Sequence, residues 1–226
     1  VLFGCIPHGT GGDLRRSLGW PGTPEEAARA LAVGITVTCD LGLVTYTAHD
    51  GSTQERHFVN VSSCGVSGCV VRELQRGRRL PGGKLTYTLA SAKALLRYRD
   101  QPVRWRADGG EWVEERITAM AVCNGRFFGA GMMVAPAARM DDGLLDLTVW
   151  KGLGFRDFLT KRRMLYDGTH VKLPNTRCSR VRTVEAEPLD GAEVLLDVDG
   201  EQPGRLPARW TVVPSALRVR VPLARP

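Results

Sequence analysis

Histidine is scarce in this sequence. The 226-residue chain carries 4, alongside 6 cysteines that form no C-x-x-C pair. A zinc site of ordinary ligand spacing is therefore excluded, and Cys5, Cys39, Cys64, Cys69, Cys123 and Cys178, mostly in apolar strand-like runs, read as buried free thiols of a reducing cytoplasm. No apolar run reaches the roughly 18 residues that cross a bilayer. There is no signal peptide, and the first residue is Val1 inside a strand-like run rather than Met, so the chain is expected to be a fragment. Aromatic residues make up only 7% and show no stacking pattern on strands, which argues against nucleic acid as a partner. A glycine-rich loop ending in Gly-Lys-Ser/Thr is also missing, so there is no Walker A phosphate loop. Internal repeats and low-complexity linkers are absent.

What is present builds a core. The chain is 43% hydrophobic and 24% charged, a composition that can bury apolar surface and is not disordered. Its net charge of +7 favours anionic partners such as nucleotides or phospholipid headgroups. Period-two patterning predicts strands over 33–39, 41–48 (broken near Asp40 and Gly42), 56–61, 103–107, 111–123, 126–134, 144–150, 179–187, 193–199, 209–213 and 217–221, separated by Gly/Asp turns such as HDGS, ADGG, DDG and VDGEQPG. Such a density of short strands predicts an antiparallel sandwich. Helices are expected over 24–32, where Pro24 fits a first turn and Glu25 and Glu26 the positive end, and over two longer segments. GGKLTYTLASAKALLRYR puts Leu85, Leu89, Ala92 and Leu96 on one face, and GFRDFLTKRRMLYDG gathers Phe155, Phe158, Leu159 and Leu165. Both end in basic residues, Arg97 and Arg99 in the first and Lys161, Arg162 and Arg163 in the second.

Four stretches carry the residue types of a reactive site. In IPHGTGGD, Gly9, Gly11 and Gly12 would let backbone approach a phosphate, Thr10 offers a hydroxyl, and Asp13 could hold a metal directly or through water. Asp40 places a carboxylate inside the apolar run TCDLGLV, where an unpaired charge is costly. ARMDDGLLDL presents Asp141 and Asp142 on a turn able to offer a carboxylate and neighbouring carbonyls to a hard cation such as Mg²⁺. In LLDVDGEQPG, Asp197 and Asp199 share one side of a strand, and Glu201 projects beyond the Gly200 turn, placed to act as a general base toward a hydroxyl. Each stretch also reads as an ordinary turn, and only their combination points to a site.

Taken in order, these segments resemble the diacylglycerol kinase catalytic family, which includes bacterial lipid kinases, sphingosine kinases and ceramide kinases. IPHGTGGD is similar to its I-P-x-G-T-x-N-D segment, CNGRFFGAGMMVAPAARMDDGLLDL to N-G-x-x-x-G-G-G…A-P-x-A-x-x-D-D-G-x-L-D, YDGTHVKLP to G-x-H-x-x-x-P, and VDGEQPG to D-G-E-P. FVNVSSCGVSG and LPARWTVVPSALRVRVP extend the likeness over nearly the whole chain. Gly12 stands where the family often has Asn, so the loop would grip phosphate differently.

The resemblance implies an α+β, mostly β fold: an antiparallel β-sandwich substrate domain over 31–213, a remnant of an α/β nucleotide-binding domain over 1–30, and a strand over 214–226 returning to it. The family's G-G-D-G-T motif is absent and would lie upstream of Val1. The implied activity is transfer of the γ-phosphoryl group of ATP to the hydroxyl of diacylglycerol or a sphingoid-like lipid, with Mg²⁺. Gly9 and Thr10 would touch the nucleotide, while Asp13 and Asp40 would join a carboxylate–water–Mg²⁺ network at the domain junction. Asp142 with the carbonyls of Arg139 and Leu144 would hold a Mg²⁺ in the sandwich, and Glu201 would take the proton from the lipid hydroxyl. The expected partners are the lipid and, transiently, an anionic membrane surface reached from the cytoplasmic face of the inner membrane. An exposed strand pair would allow a homodimer. An NAD kinase-like enzyme with a soluble substrate and a non-catalytic lipid-binding sandwich are the alternatives.

Overall fold

Two antiparallel sheets carry the structure, as the alternating strands require. The computed structural model describes residues 2–7, 12–76 and 83–223. The elements run β1 (Leu2–Phe3), α1 (Asp13–Leu18), α2 (Pro24–Val33), β2 (Ile35–Ala48), β3 (Thr53–Phe58), β4 (Val61–Gly65), α3 (Val66–Arg76), α4 (Gly83–Arg97), β5 (Gln101–Ala107), β6 (Val113–Ile117), β7 (Ala119–Cys123), β8 (Leu145–Trp150) and α5 (Phe155–Asp167). A 3₁₀ turn (Thr169–Lys172) follows, then β9 (Thr176–Val181), β10 (Thr183–Pro188), β11 (Leu196–Val198) and β12 (Gly204–Val221). One sheet has the order β3-β2-β12-β10-β5-β6, with β1 added parallel to the far end of β12 (Leu2↔Arg218). The other has the order β11-β4-β7-β8-β9.

Between the sheets lies the main core, in which Phe58, Ile117, Met120, Leu147 and Trp210 are fully buried. The outer face of the five-stranded sheet is apolar as well. Met132, Val134 and Trp150 form a second core there, with Val66 of α3, Tyr87 of α4 and Leu165 of α5 packed against it. A third, smaller cluster joins Leu18 and Trp20 to Val219 and Val221. It fixes α1 against the end of β12, and the Trp20 indole donates to the Arg220 carbonyl at 2.8 Å.

Several expected elements differ. The break expected near Asp40 and Gly42 does not occur: β2 is one strand of 14 residues paired with β12. Gly42 serves close packing instead, since a Cβ there would lie 1.9 Å from the Phe58 ring. The strands expected over 209–213 and 217–221 are one element, β12, carrying an irregularity between Val213 and Leu217. The expected boundary between 213 and 214 thus falls inside a continuous strand. The segment 126–134 is a loop rather than a strand, because Gly129, Ala130 and Gly131 all have positive φ (61, 66 and 106°), which no strand tolerates in succession. Helix α3 was missed among β-branched and small residues. Helix α4 turns the other way: Leu85, Leu89 and Leu96 are 56, 49 and 58% exposed, while Ser91 and Ala94 are buried. Leu159 of α5 is exposed too.

Candidate active site at the sandwich rim

The D-G-E segment forms a two-residue hairpin turn. Asp199 and Gly200 both have positive φ (49 and 86°), as such a turn requires, and Val198 and Glu201 exchange backbone hydrogen bonds at 2.8 and 3.0 Å. Asp199 is exposed as a residue, but its carboxylate is turned back onto the chain. Its carboxylate accepts the backbone N–H groups of Val59 (2.8 Å), Asn60 (3.1 Å) and Val61 (2.9 Å), pinning the turn to the entry of β4. Burial still pushes its carboxyl above the ordinary value, against those three bonds. Glu201 projects beyond the turn, as expected, and pairs with Arg56 at 2.7 Å.

Asn60 and Asn124 join the distant acids. The backbone N–H groups of Asn124 and Gly125 donate to the Asn60 carbonyl (2.9 and 2.8 Å). The Asn124 amide donates to the carbonyls of Asp40 (2.9 Å) and Val59 (2.8 Å). Gly125 is obligatory, since a Cβ there would sit 2.1 Å from Asn60 Oδ1. The Asn60 amide donates to Phe127 O at 2.8 Å, and Ser17 Oγ lies within reach of both Asn60 Oδ1 and the Asp13 carbonyl. Asp13 opens α1 and accepts from Ala130 N (3.0 Å) and Arg16 (2.9 Å). Burial nonetheless raises its carboxyl above the usual range. A hydrogen-bonded web therefore connects Asp13, Asp40 and the turn that carries Glu201, although they lie far apart in sequence. Asp40 is spent on structure within it: its two oxygens accept from Ser215 N and Gly143 N, both at 2.7 Å. Gly9 and Thr10, expected to meet nucleotide, lie outside the described residues.

Beside this web the second core opens into a narrow crevice of about 110 Å³ between the five-stranded sheet and helices α3, α4 and α5. Its walls are almost wholly apolar, with Val70, Leu95, Phe128, Met132 and Leu165 among them, and an Asp157–Lys161 ion pair (2.7 Å) belongs to its α5 side. Tyr87 stands in the wall within electrostatic reach of both Asp13 and Asp197, and burial with those charges drives its phenol far above the usual range. His170, buried below, sets its two ring nitrogens 3.3 Å from the carbonyls of Met164 and Val134, tying the end of α5 to the floor. Burial lowers its affinity for a proton. Sequence reasoning missed Asn60, Asn124 and Tyr87 as site residues; the N-G pair in CNGR was the available signal for one of them.

A sequence profile described as the YegS C-terminal NAD kinase beta sandwich-like domain matches residues 60–221, and one described as the diacylglycerol kinase catalytic domain matches residues 1–44. A diacylglycerol kinase of Mycobacterium tuberculosis is 34% identical over 223 residues, which is 98% of this chain and 70% of that protein. The chain belongs to the diacylglycerol kinase catalytic family. A Stenotrophomonas maltophilia protein named "Probable lipid kinase YegS-like" is 29% identical over 98% of this chain and 69% of its own length. The crystal structure of a diacylglycerol kinase from Bacillus anthracis shares the fold, with a TM-score of 0.66 at 21% identity, covering 98% of this chain and 67% of that one.

The Mg²⁺ expected from the sequence would be held by Asp142 with neighbouring carbonyls, and the surroundings of Asp142 are acidic. Asp142 and the buried Asp146 stand close enough for the charge of one to act on the other: burial lifts the Asp146 carboxyl to about 6, Arg180 opposing the rise and Asp142 adding to it. In this structure Arg180 pairs with Asp142, whose other oxygen accepts Leu144 N–H at 3.1 Å. Arg139 turns its side chain to Asp141. Among the described residues no group of three His, Cys, Asp or Glu side chains gathers around one point, so a cation at Asp142 would also need backbone carbonyls or water.

Proposed function

We propose that the chain supplies the lipid-binding sandwich and the catalytic rim of an ATP-dependent lipid kinase, which transfers the γ-phosphoryl group of ATP to the hydroxyl of diacylglycerol or a sphingoid-like lipid. The observation that carries this reading is the position of Tyr87, which lines the apolar crevice while standing within electrostatic reach of Asp13 and Asp197. An acyl chain seated in the crevice would leave its alcohol at the rim. Glu201 would then take the hydroxyl proton as the oxygen attacks the γ-phosphorus and ADP leaves. Positioning and charge do most of the work of such a transfer. Asp142, with Asp146, would hold a Mg²⁺, which supplies fixed positive charge near the rim.

The substrate is insoluble, so the enzyme must meet it at a membrane. Leu85, Leu89 and Leu96 of α4 and Leu159 of α5 are exposed beside the crevice helices, and Arg162 and Arg163 follow Leu159 on α5. We assign this face to an anionic bilayer surface. Among the described residues no helix is long and apolar enough to cross a membrane. The apolar crevice favours a lipid over the soluble substrate of an NAD kinase-like enzyme.

The test is phosphate transfer from ATP to dioleoylglycerol in mixed micelles by the protein expressed from its complete gene. Turnover is expected to fall about 100-fold or more in Glu201→Gln, in line with loss of a general base. Undiminished turnover would remove Glu201 from the mechanism, and transfer to NAD without transfer to lipid would overturn the reading.

A further inference from the structure

Asp197 belongs to the segment of Glu201 and neither binds nor moves a proton in the transfer above. It is 4% exposed and lies on β11 directly opposite Ser63 of β4, so both side chains leave the sheet on the same face. Ser63 Oγ is 3.3 Å from Asp197 Oδ2 and 2.8 Å from Ser67 Oγ of α3. The other carboxylate oxygen accepts Gly200 N–H at 2.9 Å. Ser67 in turn lines the crevice, as do Tyr87 and Ser91, which share a side-chain hydrogen bond.

A hydroxyl has one proton to give. With Asp197 ionised, Ser63 gives its proton to the buried carboxylate, the stronger acceptor. Ser67 must then donate to Ser63, which leaves its lone pairs facing the crevice. The row therefore has a direction, and its open end accepts hydrogen bonds. Burial raises the Asp197 carboxyl to about 7, with the charge of Asp199 adding to the rise and Gly200 N–H and Ser63 opposing it; Tyr87 is the titratable group that faces it from α4.

We propose that the row Ser67–Ser63–Asp197 is a polar subsite in the crevice wall, which accepts a hydrogen bond from a second hydroxyl or an amino group carried by the bound lipid alcohol. The proposal rests on the reading of the crevice as the lipid site, and within it favours a sphingoid-like alcohol over diacylglycerol, which has one hydroxyl and no amino group. Ser67 is a specificity residue. Asp197 acts through Ser63, as a positioning residue.

A matched pair of lipids tests it: 1-oleoylglycerol and 3-hydroxypropyl oleate, which lacks only the second hydroxyl. Their dissociation constants are measured by titration calorimetry on the intact protein. The wild type is expected to favour 1-oleoylglycerol by roughly 3- to 10-fold, the worth of one net hydrogen bond. Ser67→Ala should abolish the preference while leaving the affinity for 3-hydroxypropyl oleate unchanged, and Ser67→Thr should keep it. Asp197→Asn, which no longer fixes the direction of the row, should reduce it. A preference that survives Ser67→Ala, or equal weakening of both lipids, overturns the subsite and leaves the lipid crevice standing. Failure of the wild type to bind either lipid overturns the crevice reading itself.

Discussion

Two carboxylates two residues apart, Asp197 on β11 and Asp199 in the turn that follows, meet different fates here. Asp199 receives three backbone N–H groups, whereas Asp197 has one backbone N–H and one hydroxyl and is buried under α3 and α4. The sequence led to the expectation that both leave a strand on one side, whereas Asp199 belongs to the turn after β11. It did not show how their partners divide, because all of them except Gly200 belong to residues 59–63, more than a hundred positions away. The difference has a consequence for stability. A carboxyl raised from 3.8 to about 7 on folding takes up a proton that the unfolded chain lacks at the same pH. The contribution is harmless below the ordinary carboxylate range, turns destabilising as pH rises through that window, and is complete above about 7. Its upper bound is about 4 kcal/mol. Asp197→Asn, neutral throughout, is therefore expected to melt higher than wild type at pH 8 and to lose that advantage by pH 4. Circular dichroism melts at the two pH values decide it, and a lower melting point at pH 8 would show that the ionised carboxylate is net favourable where it sits.

Elements were legible where local rules decide them and misread where packing does. Pro24 with acidic neighbours marked α2, and Thr23 caps it by accepting Glu26 N–H at 3.3 Å. Gly42 was taken as a break, yet it is a landing for the Phe58 ring inside β2. Gly42→Ala is expected to destabilise the fold by about 1–3 kcal/mol through overpacking, read as a lower denaturant midpoint with the m-value unchanged. A free exchange to Ala would mean the ring can move aside. The D-D-G turn was expected to hold a cation, and the arginine that pairs with Asp142 was not foreseen, because β9 brings Arg180 opposite Asp146. Arg180→Gln leaves Asp142 and Asp146 facing each other. Its melting temperature should drop by a few degrees in chelator and recover with millimolar Mg²⁺, while wild type responds less. A variant that ignores Mg²⁺ would show that these carboxylates do not make a cation site.

At the scale of the molecule, the sandwich and the order of its motifs were legible, since strand alternation and turn residues are local signals. The orientation of α4 was not. Its leucines form the stripe that ordinarily marks an inward face, but the helix lies over a crevice it lines with Tyr87, Ser91 and Leu95 and turns the stripe out. On the proposed function the outward apolar stripe would meet lipid, and basic residues near it would meet an anionic surface. The net charge is +7, and Arg162 and Arg163 lie on α5 close in sequence to exposed Leu159. A basic residue near an anionic bilayer contributes about 1 kcal/mol, so removing two should weaken binding roughly 30-fold. The double variant Arg162→Gln/Arg163→Gln is expected to lose sedimentation with phosphatidylglycerol vesicles, and wild type should ignore phosphatidylcholine vesicles and release phosphatidylglycerol ones in high salt. Replacing Leu85, Leu89 and Leu96 together by Gln should leave the melting point nearly unchanged, because these side chains are already in water, yet reduce vesicle binding at low salt as well. If the triple variant instead melts much lower and binds vesicles as before, the stripe is packed within the folded protein and the membrane meets another face.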